Sequence, residues 1–317
     1  IDAIFGTGLT RAAKGLALAA IQHINKAAVE VVSIDLPSGM FSEDNSSTDS
    51  DAIVQANFTL TFQSPKLAFL LSDAGEKTGN FFILDIGLDG SFIDSCNSRL
   101  FFTQQEDITK FHLTRKQFSH KGIFGHSLLI AGSKGKIGAA ELACKAALKM
   151  GSGLVTAFIP ACGYTAIQTA VPEAMCITSD ESDFISGALE WTQYSSIGIG
   201  PGLSTKTQTK STLTSLLKNC TKPIVLDADA LNLISEDPAL LQLVPKNSIL
   251  TPHPKEFDRL FGTSTSAYTR LLRQIDVAQE NQLILILKGA YTSIVSGDGS
   301  VYFNSSGNAC LATGGSG

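Results

Sequence analysis

The sequence predicts an α/β protein built on mostly parallel sheets. Short apolar runs recur along the chain, each followed by a Gly-rich turn and then by apolar residues at helical spacing. That is the signature of repeated β-α-β units. The rhythm runs once, breaks in a polar stretch, and restarts. At 44% apolar and 17% charged residues, a chain of 317 residues exceeds one typical domain core, so two domains are expected, over 1–100 and 101–317.

In order, the first set comprises a strand over 2–5, a helix over 15–28, and strands over 29–34, 58–62 and 81–86. The Ser-, Asn-, Asp- and Gln-rich stretch 89–107 is the expected linker. The second set has a strand over 127–131, a helix over 138–150 and a strand over 153–160. Further strands are expected over 196–200, 223–227, 248–251 and 283–288. Residues 292–296 and 301–304 flank Gly297-Asp298-Gly299 and read as a hairpin.

Composition narrows the function classes. A net charge of -5 with no basic tract argues against nucleic acid or a membrane surface as partner. No run approaches the ~18 apolar residues of a membrane helix. The six cysteines are scattered without a C-x-x-C pair, and the five histidines lack metal-ligand spacing, so a reducing, cytoplasmic setting is expected. The chain opens with Ile1 in what reads as the middle of a strand and closes in a Gly-rich turn, so both ends are expected to be cut.

In open parallel sheets ligands sit at the carboxyl ends of strands. There the second set carries Gly132-Ser133-Lys134-Gly135-Lys136-Ile137-Gly138-Ala139-Ala140, whose small residues and following helix suit an anion; a plain β-α connection reads the same way. Gly198-Ile199-Gly200-Pro201-Gly202-Leu203 ends the next strand. Asp227 and Asp229 place two carboxylates at a strand tip, either to hold Mg2+ or position a hydroxyl, or to cap a helix. His253 stands between two prolines, a restricted setting that suits a ligand contact, although a lone His is often structural. Lys288 ends an apolar strand and can meet a phosphate as a point charge. Thr313-Gly314-Gly315-Ser316-Gly317 offers backbone N–H groups to an anion.

In the first set, Asp2-Ala3-Ile4-Phe5-Gly6-Thr7-Gly8-Leu9 is a strand running into a G-x-G turn able to bind phosphate. Ser33-Ile34-Asp35-Leu36-Pro37-Ser38-Gly39 adds a strand-tip carboxylate that either serves a ligand or stabilises its own turn. Lys66 follows the 58–62 strand through Gln63-Ser64-Pro65.

Taken together and in this order, the motifs from about Phe118 onward resemble the ribokinase-like (carbohydrate-kinase-like) fold and, within it, the ADP/ATP-dependent NAD(P)H-hydrate dehydratases. Residues 1 to about 90 resemble the NAD(P)H-hydrate epimerases, whose fold is Rossmann-like and here partial. The pair in this order resembles the bacterial bifunctional NAD(P)H-hydrate repair enzymes. The resemblance implies a lyase and isomerase that phosphorylates the hydroxyl of (6S)-NAD(P)H hydrate from ADP (or ATP), eliminates phosphate to restore NAD(P)H, releases AMP, and epimerises the R and S hydrates.

By the same resemblance Ala139, Gly200, Gly202 and His253 contact the hydrate, and Lys288, Gly289, Ala290, Tyr291, Thr292 and Gly317 hold the nucleotide. Asp2 and Ser38 bind K+; Gly6, Thr7, Gly8, Leu9, Thr10, Arg11 and Ala12 meet substrate phosphates; Asp35 contacts the substrate with Lys66 near the reacting centre. Mg2+ neutralises phosphate charge. The family's catalytic Asp follows the last Gly of the 313–317 turn, and the epimerase's first half precedes residue 1, so the chain as given is expected to be inactive. The implied partners are a small-molecule substrate and an adenine nucleotide, with homo-oligomerisation left open. Two other readings stand beside this one: a ribokinase-like small-molecule kinase, and a non-catalytic nucleotide-binding protein.

Overall fold

The computed structural model describes residues 1–111 and 114–315, and backbone proximity divides them into two units. The first holds residues 1–102 with 264–274; the second holds 103–263 and the residues from 275 onward.

Along the first unit run α1 (Gly15–Lys26), β1 (Val32–Ile34), β2 (Phe58–Phe62), α2 (Leu67–Leu70), β3 (Asn80–Leu84) and α3 (Gly90–Ser95), with β4 (Leu100–Thr103) at the junction in sequence. Strands β1, β2 and β3 pair in parallel in that order. Helix α1 turns Ile21 inward against Ala13, Val31 and Val54. The strand expected over 2–5 shrinks to one parallel bridge, Asp2 to Ser33. Asp2 exchanges backbone hydrogen bonds with Val32 and Ile34, but by Phe5 the chain has left the sheet and its N–H donates to the Ser38 hydroxyl at 2.9 Å.

The expected linker over 89–107 contains the boundary between the two units, between residues 102 and 103, and it carries short elements of its own. Asp89 accepts a hydrogen bond from the Phe92 amide at 2.9 Å, which caps α3, and β4 follows. Polar residues at caps and turns organise this stretch.

The second unit contains α4 (Gln105–Thr109), β5 (His126–Ile130), α5 (Ile137–Lys149), β6 (Leu154–Ile159), α6 (Tyr164–Ala170), β7 (Met175–Thr178), β8 (Ser196–Ile199), α7 (Thr207–Asn219), β9 (Val225–Leu226), α8 (Asp229–Glu236), β10 (Ile249–Leu250) and α9 (Pro254–Phe261). After α10 (Ala267–Asn281) in the chain come β11 (Ile284–Leu287), β12 (Ser293–Val295) and β13 (Val301–Asn304). The strand order is β13-β12-β11-β10-β9-β8-β5-β6-β7. All pairs from β11 to β7 are parallel, and β11-β12-β13 form an antiparallel meander.

The chain leaves β5 in one direction to β6 and β7, then returns to the other side of β5 to lay down β8 and β9. The strand order therefore reverses between β5 and β8. Such a switch point opens a crevice at the carboxyl ends of the two strands, because their outgoing loops diverge.

Helix α5 packs on β5 and β6 through small residues. Ala140 and Cys144 are fully buried against Val155, Ala157 and Ile159, and the alanines let the helix lie close to the sheet. Burial pushes the Cys144 thiol up to about 11, so it packs as an uncharged apolar group at neutral pH. All six cysteines are free thiols. Among the described residues no helix is long and apolar enough to cross a membrane.

On β5, His126 Nε2 lies 2.8 Å from the Thr156 hydroxyl, and its ring meets Tyr194 edge-on with 4.6 Å between centroids. Burial lowers its pKa, whereas the unfolded chain takes up a proton near its ordinary value of about 6.5. The unfolded state thus binds more protons below that value, and stability should fall as pH drops from about 6.5 through the folded pKa. Melting temperature measured from pH 7 to 5 should decline, and less steeply in His126→Gln.

Candidate functional site

The switch point brings the two glycine motifs together. Gly132, just beyond β5, donates its N–H to the Pro201 carbonyl at 2.9 Å, and the Ser133 hydroxyl donates to the Gly202 carbonyl at 2.8 Å. Gly200 has φ 135, and a Cβ there would overlap the Asp227 carbonyl. A Cβ on Gly202, at φ 63, would lie 3.1 Å from the Ala139 Cβ and 2.9 Å from the Lys136 carbonyl. Glycine is thus required at both positions, by φ and by close approach. Ala139 and Gly202, far apart in the chain, thus meet at the crevice, while Gly200, two residues before Gly202, packs against the Asp227 carbonyl.

One strand further, Asp227 follows β9. Its Oδ1 accepts from the Thr251 hydroxyl at 2.7 Å and from Lys288 Nζ at 2.9 Å. Charge-assisted contacts of this kind fix both partners where they are only partly exposed; the Asp227 and Lys288 side chains are 18% and 30% exposed. Lys288 also anchors its backbone by donating to the Pro252 carbonyl at 3.0 Å. The carboxylates do not cap a helix through their side chains. Ala228 is the N-cap of α8, at the unusual φ 47 and ψ -116, and makes no side-chain cap.

Beyond Lys288 the expected nucleotide segment curves around a cavity. Lys288, Gly289, Ala290, Tyr291 and Thr292 form one wall; Asn304, Ser306, Asn308 and Ala312 contribute to the other, around a volume of ≈ 650 Å³. That falls within the range of small-molecule sites. Thr292 Oγ1 accepts from the Gly289 amide at 3.3 Å and ties the turn. Burial raises the Tyr291 pKa, so the phenol stays protonated in the neutral range. Gly317 lies outside the described residues.

Sequence reasoning missed a second cavity of ≈ 470 Å³. It lies along the sheet from Ser127 and Ser196 to Pro201, Asp227 and Lys288, with Ala143 and Ala147 of α5 beside it. Its lining is dispersed over β5, β8, β9 and β11, so no local motif marks it.

His253 serves first as a helix cap. Its Nδ1 accepts from the Glu256 amide at 3.2 Å while Glu256 Oε2 accepts from the His253 amide at 2.9 Å, a reciprocal capping box with Pro254 at the first helical position. Acceptance at Nδ1 places the proton of the neutral ring on Nε2, 3.4 Å from Glu256 Oε1. The side chain remains 47% exposed.

In the first unit, Asp2 is almost completely buried. Its Oδ2 accepts from the Ser33 hydroxyl and the Ser38 amide, each at 2.8 Å, while its Oδ1 is buried with no hydrogen-bond partner. Asp35, at φ 68, pairs with Lys66 Nζ at 2.8 Å, with side chains 18% and 14% exposed. Lys66 Nζ also donates to Thr61 Oγ1 at 3.1 Å and the Phe62 carbonyl at 3.2 Å. Gly6, Gly8, Leu9, Thr10 and Arg11 line a shallow concavity of ≈ 280 Å³, with Thr7 and Ala12 exposed in the same loop.

The glycine contacts yield a stability test. Gly200→Ala should lower the unfolding free energy by about 3 kcal/mol, from overlap plus a φ that L residues avoid. Gly289→Ala, where a Cβ meets nothing within 4 Å, should change it by under ~1 kcal/mol. Urea midpoints of the two variants check this.

Three kinds of likeness bear on this geometry. Residues 127–317 match the family described as NAD(P)H-hydrate dehydratase, and residues 1–68 match the YjeF-related protein N-terminus. Over the whole chain, the bifunctional NAD(P)H-hydrate repair enzyme Nnr of Moorella thermoacetica is 38% identical, with 61% of its own length covered. The ADP-dependent (S)-NAD(P)H-hydrate dehydratase of Neisseria meningitidis serogroup B is 40% identical over 64% of this chain and 69% of its own. The crystal structure of the ADP/ATP-dependent NAD(P)H-hydrate dehydratase from Bacillus subtilis, co-crystallised with ATP and Mg2+, superposes with a TM-score of 0.57 at 30% identity, covering 68% of this chain and 76% of that one. The chain spans about three-fifths of the length of the bifunctional relatives it matches. With a ribokinase-like second unit, glycine motifs joined at its switch point and Lys288 paired to Asp227 beyond it, the chain belongs to the NAD(P)H-hydrate dehydratase family.

Proposed function

We propose that the second unit takes part in ADP-dependent dehydration of hydrated NADH or NADPH, and that the first belongs to the coupled epimerase. The observation that carries this reading is the position of Lys288. It lines both the ≈ 650 Å³ cavity and the ≈ 470 Å³ cavity that reaches Pro201, and its ammonium bonds Asp227, whose carbonyl packs on Gly200. A phosphoryl donor in the cavity and a dinucleotide hydroxyl in the crevice would meet beside its ammonium.

The reaction transfers the terminal phosphoryl of ADP to the hydroxyl that water added to the nicotinamide ring. The C–O bond then breaks, phosphate leaves, a ring proton is lost, and NAD(P)H and AMP result. Lys288 lowers the charge on the moving phosphoryl group, and Asp227 holds that ammonium in place until the anion arrives. The His253 side chain, 47% exposed beside its cap, is assigned to the hydrate. Asp227 also fits Mg2+: its second oxygen accepts no hydrogen bond among the described residues, and a strand-tip carboxylate is a hard oxygen donor. The ion would neutralise donor phosphate charge.

In the first unit, the unpartnered Asp2 Oδ1 beside Ser38 suits a K+ ion, because a buried anionic oxygen without a partner is otherwise costly. Asp35 and Lys66 form a paired, partly buried acid and base for the epimerase centre, and the loop of residues 6–12 is assigned to substrate phosphates. Since ADP and ATP share the groups that Lys288 would meet, the choice of ADP rests on the relatives' names. Cysteine usage and the absence of a long apolar helix among the described residues support a cytoplasmic setting.

In the full-length protein, hydrated NADH with ADP should regain reduced-nicotinamide absorbance with stoichiometric AMP. Accumulation of a stable phosphate ester would instead support a small-molecule kinase, and nucleotide binding without turnover a non-catalytic role. Lys288→Ala should lower kcat/KM by about a hundredfold, the scale of losing one charged transition-state contact. KCl should raise the melting temperature of the wild type above its value in choline chloride, and Asp2→Asn should abolish the difference.

A further inference from the structure

Asp227 and Asp229 are separated only by Ala228, yet their side chains serve opposite sides of the site. Asp227 faces Thr251 and Lys288. Asp229 Oδ2 instead accepts from the Ser204 amide at 2.9 Å and from Lys136 Nζ at 3.3 Å, while its Oδ1 accepts from Asn232 Nδ2 at 3.2 Å. Both oxygens are thereby engaged, which sets Asp229 apart from the Mg2+ role considered for the pair.

Two unusual backbone positions flank this carboxylate. Ala228 has φ 47 and Ser204 has φ 77, a region that side-chain-bearing residues occupy only when their surroundings hold them there. Ser204 closes the 198–204 loop that carries Gly200 and Gly202. Lys136 precedes α5 one turn before Ala139, and its backbone is what Gly202 packs against. Asp229, 15% exposed, therefore joins the two loops that form the small-residue crevice to the start of α8.

We propose that Asp229 is a positioning residue for the dinucleotide side of the site: by holding Ser204 and Lys136 it fixes the spacing of Gly200, Gly202 and Ala139. Ala228 makes this division of labour, since its left-handed turn sends successive acidic side chains to different loops. The proposal rests on the assignment of those three residues to the hydrate.

Equilibrium binding in the full-length protein tests it, with hydrated NADH titrated in the absence of nucleotide and ADP in the absence of hydrate. Asp229→Ala should weaken hydrate binding about tenfold and leave ADP binding within about twofold, as expected for loss of charge-assisted contacts on one side only. Asp229→Asn keeps an oxygen for the Ser204 amide and should recover most of the hydrate affinity; it also serves if the Ala variant fails to fold, in which case a loss of about threefold for hydrate alone is expected. A purely structural Asp229 would lower the melting temperature without separating the two ligands. Equal loss for both ligands, or none for hydrate, overturns the proposal while leaving the assigned function intact. A wild type that binds ADP but not hydrate overturns the functional reading itself, and this inference with it.

Discussion

The site in the second unit depends on how closely the ends of β8 and β9 approach. At Gly200 the chain passes so near the Asp227 carbonyl that no side chain fits between them. This contact lets the loops beyond β5, β8 and β9 share one small volume. Gly132 and Ser133 then bond to Pro201 and Gly202, Asp227 reaches Thr251 and Lys288, and Asp229 reaches back to Ser204 and Lys136. The charged contacts are possible because the backbone has already removed the space that would separate them. Their geometry is thus inherited from steric constraint, and electrostatics refines it.

The same economy appears at His253 and Asp35. His253 caps α9 through Nδ1, which fixes its tautomer, and its Nε2 lies 3.4 Å from Glu256 Oε1. Asp35 stands in a left-handed conformation with Lys66 drawn against it. At Asp35 the Lys66 ammonium, the Thr61 hydroxyl and the Phe62 amide all converge on Oδ1, and at His253 both ring nitrogens face Glu256. Weighing a structural reading against a functional one is then less useful than asking which atoms remain. For Asp2 the answer is one buried carboxylate oxygen; for Asp229 it is none.

Much of the fold was legible along the chain. Strand β2 and strand β13 fall where apolar alternation places them, and α5 follows from its alanine-rich helical spacing. The misses have physical causes. Asp2 begins as a strand but keeps only one bridge, and by Phe5 the backbone amide bonds the Ser38 hydroxyl instead of the sheet. The 89–107 stretch does hold the boundary between the units, but its polar residues also form caps and turns that the linker reading left out. Helix α7 hides its core contacts in Leu213, Leu216 and Leu217 among threonines and lysines, with Thr209 and Thr212 buried as well.

By itself the sequence determined the α/β class, the glycine-rich turns at strand ends, the acid pair at a strand tip and the lysine at another. Those are local properties, set by backbone freedom, periodicity and residue chemistry. Only the tertiary structure decided which of them meet. The reversal of strand order between β5 and β8 gathers residues 132–140 and 198–204, and the left-handed turn at Ala228 sends Asp227 and Asp229 to different neighbours. The ≈ 470 Å³ cavity is lined from separate strands together with Ala143 and Ala147 of α5. Sequence spacing cannot encode such meetings, because they follow from how strands far apart in the chain are laid side by side.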